Sequence, residues 1–286
     1  MKVLVFGGIT GWIGQKVCAL LESQTWCTEV IPTGVRMEDR AAVELLLESV
    51  KPTHVVIAAG KTGTPNVDWC EDHKAEVVRA NVIGTLTLCD MCHNRDIHVT
   101  NFATGCIYEG HCYEGDGFSE TDEPNFERSF YSHSKVTAEN MIRAAYNDSV
   151  LTLRLRMPIS ADLHPRSFVT KITKYEKVVD VPNSMTVLPS LLPIAIDMLR
   201  RKSTGIYNFC NPGLISHNQV LQIYKEEVDP LFKWDNFSLK EQATVLKADR
   251  SNNRLNVSKL LCEYPNVPEI KNAVREALRK HARATQ

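Results

Sequence analysis

A tyrosine and a lysine four residues apart are the first side chains in this chain whose joint chemistry can be specified. In the run Tyr131-Ser-His-Ser-Lys135 they lie on one face of a predicted helix. A phenol normally has a pKa of about 10. A neighbouring ammonium favours the phenolate, so we expect Lys135 to lower the pKa of Tyr131 and to let it exchange a proton near neutral pH.

A threonine and a cysteine end the strand that precedes this helix, in the run Asn101-Phe-Ala-Thr104-Gly-Cys106. A hydroxyl at such a strand end can bind a substrate carbonyl, and Thr104 fits that role. Positions two apart in an extended chain face the same side, so Cys106 should point into the same pocket. Periodicity alone does not separate a chemical role for Cys106 from that of a buried structural thiol.

The elements that must position these residues alternate between strands and helices over the first 160 residues. This rhythm predicts parallel strands joined by right-handed crossovers, in a doubly wound α/β sheet with its ligand crevice at the carboxyl ends of the strands. We expect strands at 2–6, 28–31, 54–59, 97–103 and 151–155, and helices at about 12–21, 38–50, 70–95 and 130–146.

The rhythm changes after Pro158, where prolines interrupt shorter segments. We therefore expect residues 1–160 to form a dinucleotide-binding Rossmann domain and residues 161–286 to form mainly a smaller substrate-binding region. A predicted strand at 206–209 indicates that a segment near 205–215 returns to the main domain. Further helices are expected near 191–200, 218–226, 239–246 and 269–282.

A glycine-rich turn joins the first strand to the first helix, with Gly8, Gly11 and Gly14 in a GxxGxxG pattern. Gly8 would permit the tight turn, Gly11 the approach of backbone to a pyrophosphate, and Gly14 close packing of helix on sheet. A tight turn without a ligand is the alternative. The expected cofactor contacts in this turn are Gly8, Thr10, Gly11, Trp12, Ile13 and Gly14.

The loop after the second strand bears on which dinucleotide binds. An acidic residue there would hold the ribose 2′-hydroxyl of NAD, but Glu29 lies inside the strand and the next acid is Glu38. Arg36 suits a 2′-phosphate, because a guanidinium donates forked hydrogen bonds. The loop therefore favours NADP, the alternative being that Arg36 is a solvated loop residue.

Bulk properties exclude several classes of protein. The net charge of −1 argues against a broad nucleic-acid or anionic-membrane surface. The first residues lack a signal-peptide pattern, and no apolar run is long enough for a membrane span. Nine irregularly spaced cysteines favour a reduced, cytoplasmic protein. The lone Cys89-x-x-Cys92 pair falls in a helical pattern, so we expect buried thiols and no metal site.

Together these features resemble the extended short-chain dehydrogenase/reductases, with Ala58-Ala-Gly60 and Asn81-Val-Ile-Gly84 as further matches. Over nearly the whole chain the resemblance narrows to the nucleotide-rhamnose synthase/epimerase-reductases. The runs that carry this narrower resemblance are Gly11–Gly14, Pro65–Cys70, Ala103–Cys106, Arg156–Ile159, Phe168–Thr173, Pro182–Thr186, Tyr207–Phe209 and Arg250–Asn253.

The resemblance implies two activities on UDP-4-keto-6-deoxyglucose. Carbons C3 and C5 are epimerised with Cys106 and Lys171 as partners, and NADPH then reduces C4 while Tyr131 supplies the proton. The product is UDP-L-rhamnose. Sequence patterning alone does not select Lys171 over Lys174, Lys177 or His164, and UDP itself comes only from the resemblance.

The same resemblance assigns the remaining contacts and leaves two rival functions. The rivals are a nucleotide-deoxysugar 4-reductase without epimerase activity and a non-catalytic dinucleotide-binding regulatory subunit. A homodimer is compatible with the family, although no residue here establishes it. Further cofactor contacts are Arg36, Ala58, Ala59, Gly60, Asn81, Tyr131, Lys135 and Pro158, and substrate contacts are Asn66, Asp68, Trp69, Thr104, Cys106, Asn183, Ser184, Met185 and Arg250.

Overall fold

The computed structural model describes residues 1–64 and 66–284, so Pro65 of the Pro65–Cys70 run lies outside the described residues. Contacts divide the chain into two compact units. We expected a boundary at residue 160 and a returning segment near 205–215. The second stretch of unit 1 ends at Arg154, and the segment that returns to it is Leu192–Tyr207. Unit 1 comprises Met1–Ile107, Phe126–Arg154 and Leu192–Tyr207, and unit 2 comprises Tyr108–Asn125, Leu155–Leu191 and Asn208–Gln286.

The strands are β1 (Lys2–Phe6), β2 (Glu29–Thr33), β3 (His54–Ile57), β4 (His98–Thr104), β5 (Val150–Leu155), β6 (Lys177–Val178), β7 (Gly205–Asn208) and β8 (Asp235–Asn236). Six of them form one sheet in the order β2-β1-β3-β4-β5-β7. The pairs of β1 with β2, β1 with β3 and β3 with β4 are parallel. The chain thus winds outward from β1 in both directions, which confirms the doubly wound sheet.

The helices are α1 (Trp12–Glu22), α2 (Arg40–Val50), α3 (Trp69–Asp72), α4 (Lys74–Val77), α5 (Gly84–His93), α6 (Phe130–Ala145), α7 (Phe168–Ile172), α8 (Leu188–Arg200), α9 (His217–Glu227), α10 (Leu239–Val245), α11 (Ser258–Glu263) and α12 (Ile270–Ala284). The single helix expected over residues 70–95 is wrong. It is divided into α3, α4, a π-helical segment at Val78–Ile83 and α5.

The core of unit 1 lies against its sheet. Every residue of β3 and β5 is buried, as expected for parallel strands that helices cover on both faces. Leu47 of α2, Leu88 of α5 and Ile142 of α6 pack in one apolar cluster with residues of β1 and β3. This packing fixes the helices that carry the candidate site residues.

Unit 2 has an apolar core of its own, to which α7, α9 and α12 contribute buried side chains. The short strands β6 and β8 pair in parallel. Among residues 1–64 and 66–284, no helix combines the length and the apolar character that a bilayer crossing requires.

The Cys89 and Cys92 thiols are both fully buried in α5. Burial raises the pKa of both, that of Cys92 to about 12, so both are packed as neutral thiols. In the described part of the chain no three histidine, cysteine or acidic side chains gather as metal ligands.

Candidate active site

The glycine turn is shaped by close backbone contacts. Gly11 N–H donates to the Gly7 carbonyl oxygen at 2.9 Å. A Cβ on Gly14 would lie 2.2 Å from that oxygen, and one on Gly11 2.5 Å from it. Residues with side chains are therefore excluded at both positions, and α1 begins directly on the turn.

The tight turn itself depends on Gly7, which the GxxGxxG pattern missed. Gly7 has φ +86°, which lies in the left-handed region that favours glycine. The φ angle of Gly8 is outside that region. Gly8 has a different role, because a Cβ there would lie 2.7 Å from the Cβ of Pro32. The assignment of the tight turn to Gly8 is wrong, and a glycine one residue earlier was the available signal.

The start of α1 offers polar backbone groups to an anion. Gly11 is its N-cap, and no side chain caps the helix. The first N–H groups of an 11-residue helix then have no partner within the helix, and their partial positive charge favours a pyrophosphate. Thr10 is exposed beside this end, Ile13 is partly buried, and Trp12 is buried. Arg36 lies exposed in the loop after β2.

The loop after β3 meets the helix that carries the tyrosine–lysine pair. A Cβ on Gly60 would lie 3.2 Å from Asn81 Oδ1 and 3.5 Å from Lys135 Nζ. The buried Asn81 side chain accepts from Lys61 N–H at 2.8 Å and donates to Ser134 Oγ at 3.2 Å. Ala58 and Ala59 precede this contact and are partly buried. The structure thus brings four predicted cofactor residues, Gly60, Asn81, Lys135 and the neighbouring Ala59, into one region.

Tyr131 lies in the first turn of α6, which Ser129 caps through a hydrogen bond from Ser132 N–H. Its side chain is buried, and burial raises the pKa of the phenol above its ordinary value. The nearby Cys106 also raises it, whereas a hydrogen bond with the Thr104 side chain lowers it. Desolvation of the phenolate opposes the lowering expected from Lys135, and the net shift of the Tyr131 pKa is upward. Tyr131 is held as a neutral phenol, which is the proton-donating form.

Lys135 follows one helical turn later and is partly buried. Burial lowers the pKa of its ammonium to about 8, and the charge of Glu139 opposes that shift. Glu139 was not among the predicted site residues. Its carboxylate is buried and receives hydrogen bonds from Arg154 Nη2 at 2.6 Å and from Arg154 Nε at 3.1 Å.

Cys106 lies beside Tyr131 in a small apolar cluster. The buried members are Cys70, Val77 and Tyr131, and Val67, Trp69, Cys106 and Phe130 pack on them while partly exposed. The Cys106 N–H donates to Thr104 Oγ1 at 3.1 Å. The structure therefore brings Thr104, Cys106 and Tyr131 together at the carboxyl end of β4.

Lys171 lies in α7, in unit 2. It is partly buried, whereas Lys174 and Lys177 are exposed. Burial lowers the pKa of the Lys171 ammonium, and the nearby Arg166 lowers it further. The rival His164 accepts a hydrogen bond from Arg166 N–H through Nδ1. The environment of Lys171 therefore favours a neutral amine, the form that removes a proton.

Three predicted substrate contacts, Asn183, Ser184 and Met185, lie inside unit 2, with at most 1% of each residue exposed. The Asn183 amide binds internal groups, among them the Arg156 guanidinium and the Asn252 side chain. Ser184 Oγ accepts from Leu255 N–H, and Met185 belongs to the apolar core. In this structure these side chains bind polar and apolar partners inside unit 2, and direct substrate contact by them stays a prediction.

The other predicted contacts are more accessible. Asn66, Asp68 and Trp69 are partly exposed, and Trp69 stacks on His73 with ring centroids 3.8 Å apart. Arg250 is partly exposed and donates to the Ala248 carbonyl at 2.6 Å. Pro158 is partly exposed, and its carbonyl accepts from Phe168 N–H at the start of α7.

Residues 3–177 match the NAD dependent epimerase/dehydratase family. The chain belongs to that family. A family member with a dinucleotide turn at residues 7–14 and a phenol–ammonium pair on α6 is an NAD(P)-dependent enzyme, in agreement with the sequence prediction.

This chain is similar to two Arabidopsis thaliana proteins over most of its length. It is 53% identical over 272 residues to the Arabidopsis thaliana bifunctional dTDP-4-dehydrorhamnose 3,5-epimerase/dTDP-4-dehydrorhamnose reductase, covering 93% of this chain and 89% of the relative. It is 52% identical over 279 residues to an Arabidopsis thaliana trifunctional UDP-glucose 4,6-dehydratase/UDP-4-keto-6-deoxy-D-glucose 3,5-epimerase/UDP-4-keto-L-rhamnose-reductase. That match covers 96% of this chain but 41% of the trifunctional protein.

Among solved structures, the fold is similar to that of the UDP-rhamnose synthase from Acanthamoeba polyphaga mimivirus. The TM-score is 0.93 at 41% identity, over 98% of this chain and 99% of the viral one. Epimerase/reductase relatives at this level of identity agree with the family that the sequence runs indicated.

Proposed function

We propose that this family member is a bifunctional enzyme that epimerises C3 and C5 of UDP-4-keto-6-deoxyglucose and reduces C4 with NADPH, giving UDP-L-rhamnose. The observation that carries the proposal is the cluster of Thr104, Cys106 and Tyr131 at the end of β4, with Lys135 one turn further along α6. A hydroxyl, a thiol and a neutral phenol at one strand end support a single reaction centre there.

Reduction of the C4 ketone needs a hydride, which bound NADPH supplies, and a proton. Tyr131 is the proposed proton donor, because burial keeps its phenol protonated. Thr104 hydrogen-bonds with Tyr131 and can donate to the same carbonyl oxygen. The Lys135 ammonium would bind the ribose of the dinucleotide and return a proton to Tyr131 after each turnover.

Epimerisation needs a proton removed from one face of the sugar and returned on the other. The C4 ketone makes the protons on C3 and C5 acidic, since it stabilises an enolate, and Tyr131 and Thr104 can donate to the developing oxyanion. We assign the two proton-transfer groups to the Cys106 thiol and the Lys171 amine. The lowered pKa of Lys171 favours its neutral form.

We favour NADPH over NADH because Arg36 lies exposed after β2, where a carboxylate would select NAD. The relatives are named for both dTDP and UDP sugars, so the identity of the nucleotide base is the most specific part of the proposal. Asn66, Asp68, Trp69 and Arg250 remain our candidates for substrate contacts, and Arg250 suits the diphosphate.

We also propose a cytoplasmic homodimer with no nucleic-acid or membrane partner. Val78 and Ile83 of the π-helical segment and Met141 of α6 are exposed apolar residues on neighbouring elements. Pairing of two copies would cover them. Sedimentation of the wild type and of Met141→Glu tests this, since a charge should dissociate such a dimer and a monomeric wild type would contradict it.

One experiment tests the function. UDP-4-keto-6-deoxyglucose is supplied in deuterated water, with and without NADPH, and the dTDP sugar is run in parallel. We expect deuterium at C3 and C5 without NADPH and UDP-L-rhamnose with it. Reduction without exchange would indicate a simple 4-reductase, and tight NADPH binding without turnover would indicate a regulatory subunit. The faster nucleotide sugar identifies the base.

A further inference from the structure

Ser132 directly follows Tyr131, and only 1% of it is exposed. Its hydroxyl donates a hydrogen bond of 2.6 Å to the carbonyl oxygen of Cys106. This bond joins the helix that carries the phenol to the loop that carries the thiol. Neither the family pattern nor the spacing of reactive residues singled out this serine.

The chemistry of the two groups fixes the direction of the hydrogen bond between Ser132 and Cys106. A carbonyl oxygen only accepts, so the Ser132 hydroxyl must donate to Cys106. Ser129 Oγ then donates to Ser132 Oγ at 2.8 Å and accepts from Ser132 N–H at 3.1 Å. The three groups form a directed chain, and the Ser132 hydroxyl has one orientation that satisfies it.

The amide of Cys106 is also bound, by Thr104 Oγ1 at 3.1 Å. Both backbone polar groups of Cys106 thus bind side chains that belong to the surroundings of Tyr131, since Thr104 hydrogen-bonds with the phenol and Ser132 is its neighbour in sequence. The backbone of Cys106 is thereby tied to the surroundings of the phenol by two hydrogen bonds.

We propose that Ser132 is a positioning residue that sets the place of the Cys106 thiol relative to the Tyr131 phenol. This inference rests on the proposed function, in which Cys106 serves epimerisation and Tyr131 serves mainly reduction. The Cys106 carbonyl depends on Ser132 for the bond described, whereas the start of α6 is still capped by Ser129. Loss of the hydroxyl therefore shifts the thiol more than the phenol.

The first test compares two rates in each variant: deuterium exchange at C3 and C5, and C4 reduction. In Ser132→Ala we expect exchange to fall about tenfold more than reduction, because a small displacement of a reacting group is costly. Ser132→Thr keeps a hydroxyl and should restore the ratio. Equal loss of both rates in Ser132→Ala would overturn the proposal.

Ser134→Ala is the matched control. Ser134 is equally buried on the same helix, and its hydroxyl donates to the Tyr131 carbonyl at 2.7 Å. It makes no described bond to Cys106, and it accepts from Asn81 beside the cofactor loop, so any loss should affect reduction and exchange should not fall more than reduction. If Ser132→Ala is too unstable to assay, Ser129→Gly removes the donor to Ser132 while retaining a tolerated N-cap residue, and should shift the ratio in the same direction. An unshifted ratio there would also contradict the role.

A second measurement does not depend on turnover. Iodoacetamide alkylation is followed by mass spectrometry at Cys106, which is partly exposed, with the exposed Cys262 as an internal control. Ser132→Ala should raise the Cys106 rate several-fold relative to Cys262. An unchanged ratio would overturn the positioning role. If the wild type neither exchanges nor reduces the sugar, the proposed function fails, and the alkylation result still decides whether Ser132 positions Cys106.

Discussion

Glu139 on α6 is bound at both carboxylate oxygens by Arg154 on β5, with Arg154 Nε 3.1 and 3.2 Å from the two. The pair is buried, with side-chain exposures of 4% and 0%. Glu139 follows Lys135 by one helical turn. The charge that opposes deprotonation of Lys135 is therefore held in place by a group on the neighbouring strand.

Glu139→Gln should move the alkaline limb of the reduction profile to lower pH. Burial lowers the pKa of Lys135 to about 8, and Glu139 raises it, so removal of that charge lowers the pKa further. Lys135 then loses its proton at a lower pH. The pH dependence of kcat/KM for reduction measures the shift.

The same change leaves Arg154 buried without its carboxylate and should cost about 3–5 kcal/mol of unfolding free energy. Glu139→Gln with Arg154→Met removes both charges and should recover much of that stability. The alkaline limb of the double variant's reduction profile should stay shifted to lower pH. If the alkaline limb returned to its wild-type position when stability was recovered, Glu139 would act only through folding.

Cys106→Ala and Tyr131→Phe should separate the two proposed activities. The first removes the thiol and should abolish deuterium exchange at C3 and C5. The second removes the proton donor and should lower reduction by about 10²–10⁴-fold while leaving more of the exchange. NMR of the recovered sugar measures both. Our division of roles would be wrong if each variant lost only reduction.

Gly14→Ala should weaken dinucleotide binding strongly. Its Cβ would lie 2.2 Å from the Gly7 carbonyl oxygen, so the start of α1 must move away from the turn. Gly34→Ala is a suitable control, since its Cβ would meet only Ile9 Cδ1 at 3.5 Å. Fluorescence titration with NADPH should give a raised Kd for the first variant and a near wild-type value for the second.

Arg36→Ala should reduce the preference for NADPH over NADH by about 10- to 100-fold, the value of a charge-assisted bond to a phosphate. The loss should appear in KM for NADPH, with KM for NADH little changed. Equal changes in KM for NADPH and KM for NADH would show that Arg36 does not bind the 2′-phosphate.

The paired strands β3 and β4 bring His54 and His98 side by side, with ring centroids 5.4 Å apart. Burial, together with a smaller contribution from the charge of His98, lowers the pKa of His54 to about 4. The unfolded chain binds a proton at about pH 6.5 and the folded chain only near 4, so stability is complete above pH 6.5 and is lost as pH falls towards 4.

Over that range the loss attributable to His54 is about 3 kcal/mol. His54→Gln should flatten the acid limb of stability measured by urea unfolding between pH 7 and 4.5. His93→Gln, at an exposed position at the end of α5, is the control and should leave the limb unchanged. An identical acid limb in His54→Gln would contradict the assignment.

The six strands of the large sheet and the helices α1, α2 and α6 could be predicted because period and glycine spacing are local signals, whereas the two-residue strands β6 and β8 are too short to show a period. The break at Val78–Ile83 could not, since Gly84 directly after it does not by itself interrupt a helical pattern and the contacts of Asn81 are visible only in the fold. Asn183–Met185 were assigned to substrate because a motif shows which residues matter but not whether they are buried. Glu139 and Ser132 carried no signal, because their partners are 15 and 26 residues away.

The π-helical segment has a consequence for how this chain tolerates insertions and deletions. Its wider i→i+5 bonding accommodates a residue that an α-helix would not. Deleting one residue from Val78–Ile83 would let the segment close as an ordinary α-helix, with the flanking turns still in phase. The wide turn that holds the Asn81 amide against Lys61 would be lost, and the cofactor loop would lose its anchor although no reactive group had been altered.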